Sequence, residues 1–575
     1  MPAIFFHGRG PVKHFEPIGL PFREGCSLGN ELVVQGGLVV DGSGRLAFRA
    51  EVGIRDGKII EVGEVEPGGD ADLMDASGCV VAPGFIDMHG HSDYVLMVNP
   101  RAESKVRQGV TTEVVGNCGG SAAPSLGLEE DSTKRAAALY GLDVDWSTFG
   151  EYLRRLEKGI AINVAALVGH GTVRRCVMDL EERAPTQGEL EEMRGLVDAA
   201  MRDGAFGLSS GLVYPPGRYA ETDELVELCR VVAKHGGLYA SHIRGERETM
   251  LEALREAIGI GEAAGVPVQV SHHPAKIGAW GRSLETLAMM DEAAAKGVDV
   301  TCDMHPYISG STSLSALLPP WAQAGGPDRI VERLGRPEDR ERMRRDMIEE
   351  KVPGPGPCGL VKRGMWDKIV ISSYPENWPI GRNMAEIAAD SGVSPFDAYF
   401  DLLAGSGAVG GVVGFYYNEE DIRNVLRHPR SMIGSDGYAL APYGVLGRGR
   451  NHPRSYGTFP MVFRKYVRGE SRPELVSDEG AKVVALEEAV MKMTSAPARR
   501  LKLEDRGLIK EDCWADVVVF DPDTMADTAT YLDPYRYPVG IKHVLVNGVP
   551  VIRDREHTGA LPGKALRLGS DDILH

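Results

Sequence analysis

Two histidines, His89 and His91, stand two residues apart in GFIDMHGHSD. Alternate residues of an extended chain point to the same side, so both imidazoles can reach one metal ion. Farther along, Cys118 in GNCGG, His242 in SHIRGE, His272 in VSHH and Asp436 in IGSDG each close a short apolar run. A thiol, several imidazoles and a carboxylate together suit Zn2+, whereas Mg2+ and Ca2+ call for all-oxygen shells. Taken singly, each residue has a plainer explanation: a packed thiol for Cys118, a turn for Asp436, a core imidazole for His273 beside His272. Their recurrence at the ends of successive runs points to a metal centre. His170 in VGHGTVR also ends a run, but its glycine neighbours suit a structural hydrogen bond. His235 belongs near a helix C-terminus, so neither joins the set.

The runs that carry these residues set the expected architecture. Eight follow one another: VVAPGFIDMHGH, GVTTEVVGNCGG, INVAALVGHG, GAFGLSSGLVYPP, GGLYASHIRGE, VPVQVSHHPAK, VDVTCDMHPY and RSMIGSDG. Amphipathic stretches such as ETDELVELCRVVAKHG lie between several of them. This alternation predicts parallel βα units, hence an α/β chain, and eight units predict a TIM-like (β/α)8 barrel. In such a barrel the C-terminal strand ends form the active site, which is where the metal-ligand types fall. More than a hundred residues separate the seventh run from the eighth, too many for one crossover, and predict an inserted lid subdomain at about residues 320–400. Short β-branched runs punctuated by Gly, Asn-Gly and Asp-Pro turns occupy both chain ends. They predict a small β-sandwich built from residues 1–82 and 501–575, the closing PGKALRL included, around a catalytic domain over 83–500.

At 575 residues the chain can bury a large core. Its formal charge of −18 disfavours nucleic acid and anionic membranes, which need basic surfaces, and favours a small-molecule substrate. No long apolar stretch and no signal-peptide pattern is present, so a cytoplasmic location is expected. The eight cysteines lack any CxxC pair and are expected to be buried thiols, Cys118 excepted.

Taken together, GFIDMHGHSD, QGVTTEVVGNCGGSAAP, GLSSGLVYPPG, SHIRGE, VSHH, IGSDG and HPRSYGTF resemble the N-acyl-D-amino-acid deacylases (D-aminoacylases) of the amidohydrolase superfamily. The resemblance runs from the first β-strands to VNGVPVIRD and TGALPGKALR; about the first thirty residues and parts of the insert have no counterpart. It implies a tightly bound zinc on Cys118, His242 and His272, a second and weaker site at His89 and His91, and Asp436 as general base and acid. It further implies that Tyr214, Ser311 and Arg454 line the substrate pocket, with Arg454 pairing with the substrate α-carboxylate. The substrate so implied is an N-acyl-D-amino acid.

Two positions depart from the family pattern. Pro274 stands where a lysine usually follows the histidine pair, with Lys276 two positions later, and His305 replaces the first tyrosine of a Tyr-Pro-Tyr motif. Either Lys276 and His305 substitute as substrate-binding groups, or the chain prefers a different acid. A cyclic-amide hydrolase of the hydantoinase or dihydroorotase type, or a D-dipeptidase, is the neighbouring alternative. Cys118 speaks against the cyclic-amide branches, which place a carboxylated lysine on the second strand. A non-catalytic barrel scaffold would be expected to have lost ligands, and none is lost. Oligomeric state, acyl group and side-chain preference stay open at this level.

Overall fold

Residues 30–349, 354–472 and 478–569 are described by the computed structural model of the chain. The N-terminal FFHGRGPVKHFEP, and Cys26 with it, lie outside the described residues. Eight parallel strands carry the candidate residues: β1 Phe85–Asp87, β2 Val110–Val115, β3 Asn163–Ala166, β4 Gly207–Gly211, β5 Leu238–His242, β6 Val268–Val270, β7 Val300–Met304 and β8 Ser431–Ile433. Each pairs in parallel with the next, from β1–β2 through β7–β8. Strand β3 reaches β4 through its continuation, Val168–Gly169. Beyond the strand ends, Gly90 bridges to Gly437 in parallel register and the Met88 amide donates to the Ile433 carbonyl (3.3 Å), which brings β8 back beside β1.

Helices such as Gln187–Asp203, Thr222–Lys234 and Met250–Ala264 connect the middle strands. The first begins in a capping box of Thr186 and Glu189, and Gly204 ends it in the left-handed region (φ 111°), the start and stop chemistry its sequence carries. On one side of the strands Ile86, Met88, Val114, Ala165, Ala240 and Met432 share an apolar cluster; the larger core lies between strands and helices.

Strands from both chain ends interleave. A seven-stranded sheet joins Leu38–Val39 and Val80–Pro83 to Val517–Phe520, Ile541–Val546 and Val549–Arg553. A four-stranded sheet from residues 32–75 packs on it, Val34, Ile54 and Met74 meeting Val81, Val519 and Leu545. The expected Asn-Gly turn forms a hairpin in which Asn547 (φ 49°) and Gly548 (φ 79°) are both left-handed. One strand falls elsewhere than expected. In PGKALRL, Ala565–Leu566 pairs in parallel with β3, and Leu566 joins the cluster of Ile86 and Val114 instead of extending the terminal sheets. Leu566 is buried there although its strand stands at the edge of that sheet, because its side chain packs into the apolar cluster.

Between β7 and β8 the chain builds an antiparallel three-stranded sheet of Gly310–Ser313, Ile369–Ser373 and Gly411–Gly414, with helices packed around it. Seven cysteines are described; none is disulfide-bonded and all but Cys118 are buried. No helix among the described residues is long and apolar enough to cross a membrane.

Candidate metal centre and active site

The candidate ligands gather where the parallel strands end. Cys118 Sγ lies 3.6 Å from His242 Nδ1, 3.6 Å from His272 Nε2 and 3.4 Å from His89 Nε2. His91 Nε2 stands 2.9 Å from Asp436 Oδ1, and His89 Nε2 lies 3.8 Å from the same oxygen. Three overlapping clusters result, one of Cys118 with His89 and His272, one of His89, His91 and Asp436, and one of His242, Glu246 and His272.

Strand geometry alone does not aim these groups. Cys118 (φ 54°), His272 (φ 35°) and Asp436 (φ 51°) all adopt left-handed backbone conformations just past their strands. Non-glycine residues pay for that conformation, and it persists where the surroundings enforce it, commonly at functional sites. Around Cys118 the enforcement is visible: a Cβ on Gly116 would fall 2.1 Å from the Leu167 carbonyl oxygen, and one on Gly119 would fall 2.6 Å from the Gly211 amide nitrogen. The GNCGG turn therefore requires its glycines, and it turns the thiol inward.

Buried carboxylates that sequence reasoning missed hold the imidazoles. Asp303 Oδ1 lies 3.1 Å from His89 Nδ1 and accepts the His272 amide (2.8 Å). Glu246 faces two histidines at once, Oε2 at 3.2 Å from His242 Nε2 and Oε1 at 3.1 Å from His272 Nδ1. In both cases the nitrogen facing the carboxylate is the one turned away from Cys118, the arrangement that fixes the tautomer of a metal-binding histidine. Below His89, the Asp87 carboxylate accepts from the Ser435 amide (2.8 Å), the Ser435 hydroxyl (2.6 Å) and the fully buried Lys105 ammonium (2.6 Å). This ties β1 to the turn that carries Asp436. The signals were present in SHIRGE, four residues past His242, and in FIDMHGH, but a carboxylate's partner is invisible until the strands assemble.

Electrostatics favour a metal ion. Burial opposes charge on Cys118, but the neighbouring His89 and hydrogen bonds from His242, His272 and His89 outweigh it and hold the thiol well below its ordinary range. Burial likewise opposes charge on His91 and His242, but the hydrogen bond to Asp436 in one case and the Glu246 charge in the other raise both to about 9. Asp436 is held well below the carboxylate range, since Arg454 and His91 overcome its burial. A thiolate among imidazoles that bind protons this strongly is a donor set suited to zinc.

The centre opens on a cavity of about 470 Å³ lined by Tyr214, Ser311, Lys276, Asp436 and Arg454, and also by Tyr416, Tyr417, Tyr438 and Arg448. Tyr214 shares a 3.2 Å hydrogen bond with Thr312, next to Ser311 on the inserted sheet. Arg454, at the start of helix Arg454–Met461, places NH1 2.8 Å from Asp436 Oδ2. Lys276 borders the same cavity, and its Nζ is bonded to Glu246 Oε1. His305 departs furthest from expectation. It is 2% exposed, stands edge-on behind Tyr417 (5.2 Å between ring centres) and does not border the cavity, because the double tyrosine of the insert takes the wall position. His170 bonds Glu224 (2.8 Å), His235 bonds Asp198 (2.8 Å) and His273 bonds Thr286 (2.9 Å), as structural histidines would.

Comparison with known proteins agrees with this geometry. A model of the amidohydrolase family matches residues 72–324 and 384–552. D-aminoacylase of Alcaligenes xylosoxydans xylosoxydans is 37% identical over 541 residues, covering 93% of this chain and 97% of that protein. The crystal structure of N-acyl-D-glutamate deacylase from Bordetella bronchiseptica, complexed with zinc and a phosphonate mimic of the tetrahedral intermediate, aligns with a TM-score of 0.77 at 36% identity, covering 94% of this chain and 100% of that one. A D-aminoacylase structure described by a binuclear metal centre with one-metal activation and second-metal attenuation gives 0.75 at 34% identity, covering 94% and 100%. The chain belongs to the amidohydrolase family and, within it, to the D-aminoacylases and N-acyl-D-amino-acid deacylases.

Proposed function

We propose that this chain is a zinc-dependent hydrolase that cleaves the amide bond of N-acyl-D-amino acids to a carboxylate and a free D-amino acid. The observation that carries the reading is the convergence of Cys118 Sγ, His242 Nδ1 and His272 Nε2, at 3.6 Å, beside the Asp436–His91 pair. Those three residues would hold the tight zinc, and His89 and His91 a second, weaker one. Zinc supplies a Lewis acid for the carbonyl oxygen and lowers the pKa of water to roughly 7. Asp436 takes the proton of the attacking water and returns it to the departing amine, without which an amide nitrogen is too poor a leaving group. Arg454 and His91 hold its carboxyl in the ionised form, the form that can accept a proton. Arg454 faces both the cavity and Asp436, so it orients the base and offers its guanidinium to the substrate α-carboxylate.

The same reading takes the eight strands as a closed (β/α)8 barrel, supported by the Gly90–Gly437 bridge. The β-sandwich of both chain ends is supported by the interleaved terminal strands, and a lid insert at about residues 320–400 by the three-stranded sheet between β7 and β8. The three-part division of the chain and a cytoplasmic location go with it. The test is amine release from N-acetyl-, N-formyl- and N-succinyl-D- and L-amino acids by the zinc-loaded enzyme. Acidic and apolar side chains belong in the set, because Arg448 and Leu440, Val445 and Leu446 all border the cavity. Release from a D-series is the expected result; none from any substrate, with zinc bound, would overturn the reading.

A further inference from the structure

Lys276 stands two residues beyond the position where the family's lysine is expected; it borders the cavity, with its ammonium engaged by a neighbouring carboxylate. It is 3% exposed and bonded to Glu246 Oε1. Its backbone is held on two sides: its amide donates to the Glu246 carbonyl (3.3 Å), it bridges to Tyr417, and the next amide, of Ile277, donates to the Tyr416 carbonyl (2.8 Å). The rings of Tyr417 and Tyr416 lie 5.4 and 5.7 Å from the ammonium, within cation–π range.

Glu246 is the group that needs this cation. One carboxylate serves two imidazoles, Oε2 toward His242 Nε2 at 3.2 Å and Oε1 toward His272 Nδ1 at 3.1 Å. The carboxylate thus faces the outward nitrogen of each ring, and His242 Nδ1 and His272 Nε2 are left directed at Cys118 Sγ. Once both rings bind a cation at their inner nitrogens they are neutral, and Glu246 keeps a full negative charge in a site where it is 4% exposed. A charge so buried persists only when paired.

We propose that Lys276 is a positioning residue of the metal centre: it neutralises Glu246 and so holds both tight-site histidines in their metal-binding tautomers, and it is not the receptor of the substrate carboxylate. The proposal rests on the assignment of Cys118, His242 and His272 as the tight zinc site. In this chain the displacement of the lysine has turned a substrate contact into support for the metal, and the substrate carboxylate is left to Arg454.

Zinc retention tests it on the full-length, zinc-loaded protein, challenged with a chromophoric chelator in the absence of substrate. Lys276→Met is expected to weaken zinc affinity about 10- to 100-fold, the scale for loss of a partner behind a metal ligand. At saturating zinc its KM is expected to stay within about threefold of wild type, since no binding contact to substrate is removed. A KM raised tenfold or more with unchanged zinc retention would make Lys276 a substrate residue and overturn the proposal; unchanged retention with unchanged KM would overturn it too. Glu246→Gln combined with Lys276→Met leaves neither charge unpaired, so it stays informative if the single variant fails to fold. The double variant should lose zinc no faster than Glu246→Gln alone, and additive losses would contradict action through Glu246. Because zinc release is read without substrate, a protein that behaves as expected here yet cleaves no N-acyl-D-amino acid refutes the proposed function and not this inference.

Discussion

The floor of the cavity and its wall behave differently. On the floor, His89, His91, Cys118, His242, His272 and Asp436 come from five of the eight strand ends and meet within 4 Å of at least one partner. On the wall, Tyr214, Ser311, Lys276 and Arg454 border the cavity, Lys276 bonded to Glu246 and Arg454 paired with Asp436, while His305 is hidden behind Tyr417. Floor residues lie in, or within four residues of, parallel strands whose register is fixed by backbone pairing. Wall residues ride on inserted strands and turns between strands, where an offset of one or two residues redirects a side chain.

Four measurements bear on that contrast. The largest effect is expected at Asp436: Asp436→Asn should keep zinc and lose about two to four orders of magnitude in turnover, the scale for a general acid–base residue. Near-normal turnover with full zinc would remove Asp436 from the chemistry and break the division between floor and wall. Arg454 sits on the boundary. Arg454→Met should raise KM by about 10- to 100-fold, as for loss of a charge-assisted hydrogen bond. It should also move the acidic limb of the kcat/KM profile to higher pH, because removing the cation raises the Asp436 pKa. A raised KM with an unmoved limb would confine Arg454 to binding.

Zinc uptake by the metal-free protein gives a smaller, graded effect. His91 and His242 hold protons up to about pH 9 in that state and must release them to coordinate, so apparent zinc affinity should rise with pH below 9. The slope should be about tenfold per pH unit for each proton released. Affinity flat between pH 6 and pH 8 would mean that these imidazoles are not the ligands. Last and smallest, His305→Phe should leave KM within about twofold, since the ring packs behind Tyr417 and touches no substrate space. A tenfold rise would return His305 to the wall.

From the sequence alone, ligand types at the ends of apolar runs named the floor residues, because a strand end is written in local hydrophobic pattern and a metal donor in residue type. The α/β alternation, the β-rich ends and the Asn-Gly hairpin at Asn547 were legible for the same reason. What the sequence could not decide is anything that depends on which side chain finds which partner. Glu246 and Asp303 read as ordinary polar residues until folding buries them against His242, His272 and His89. The bond of Lys276 to Glu246 and the pairing of Ala565–Leu566 with β3 likewise appear only in the folded chain. The local pattern specifies donors and strands, but the pairing of buried charges is settled by the tertiary structure, since only in the assembled low-dielectric interior must each charge find its counterpart.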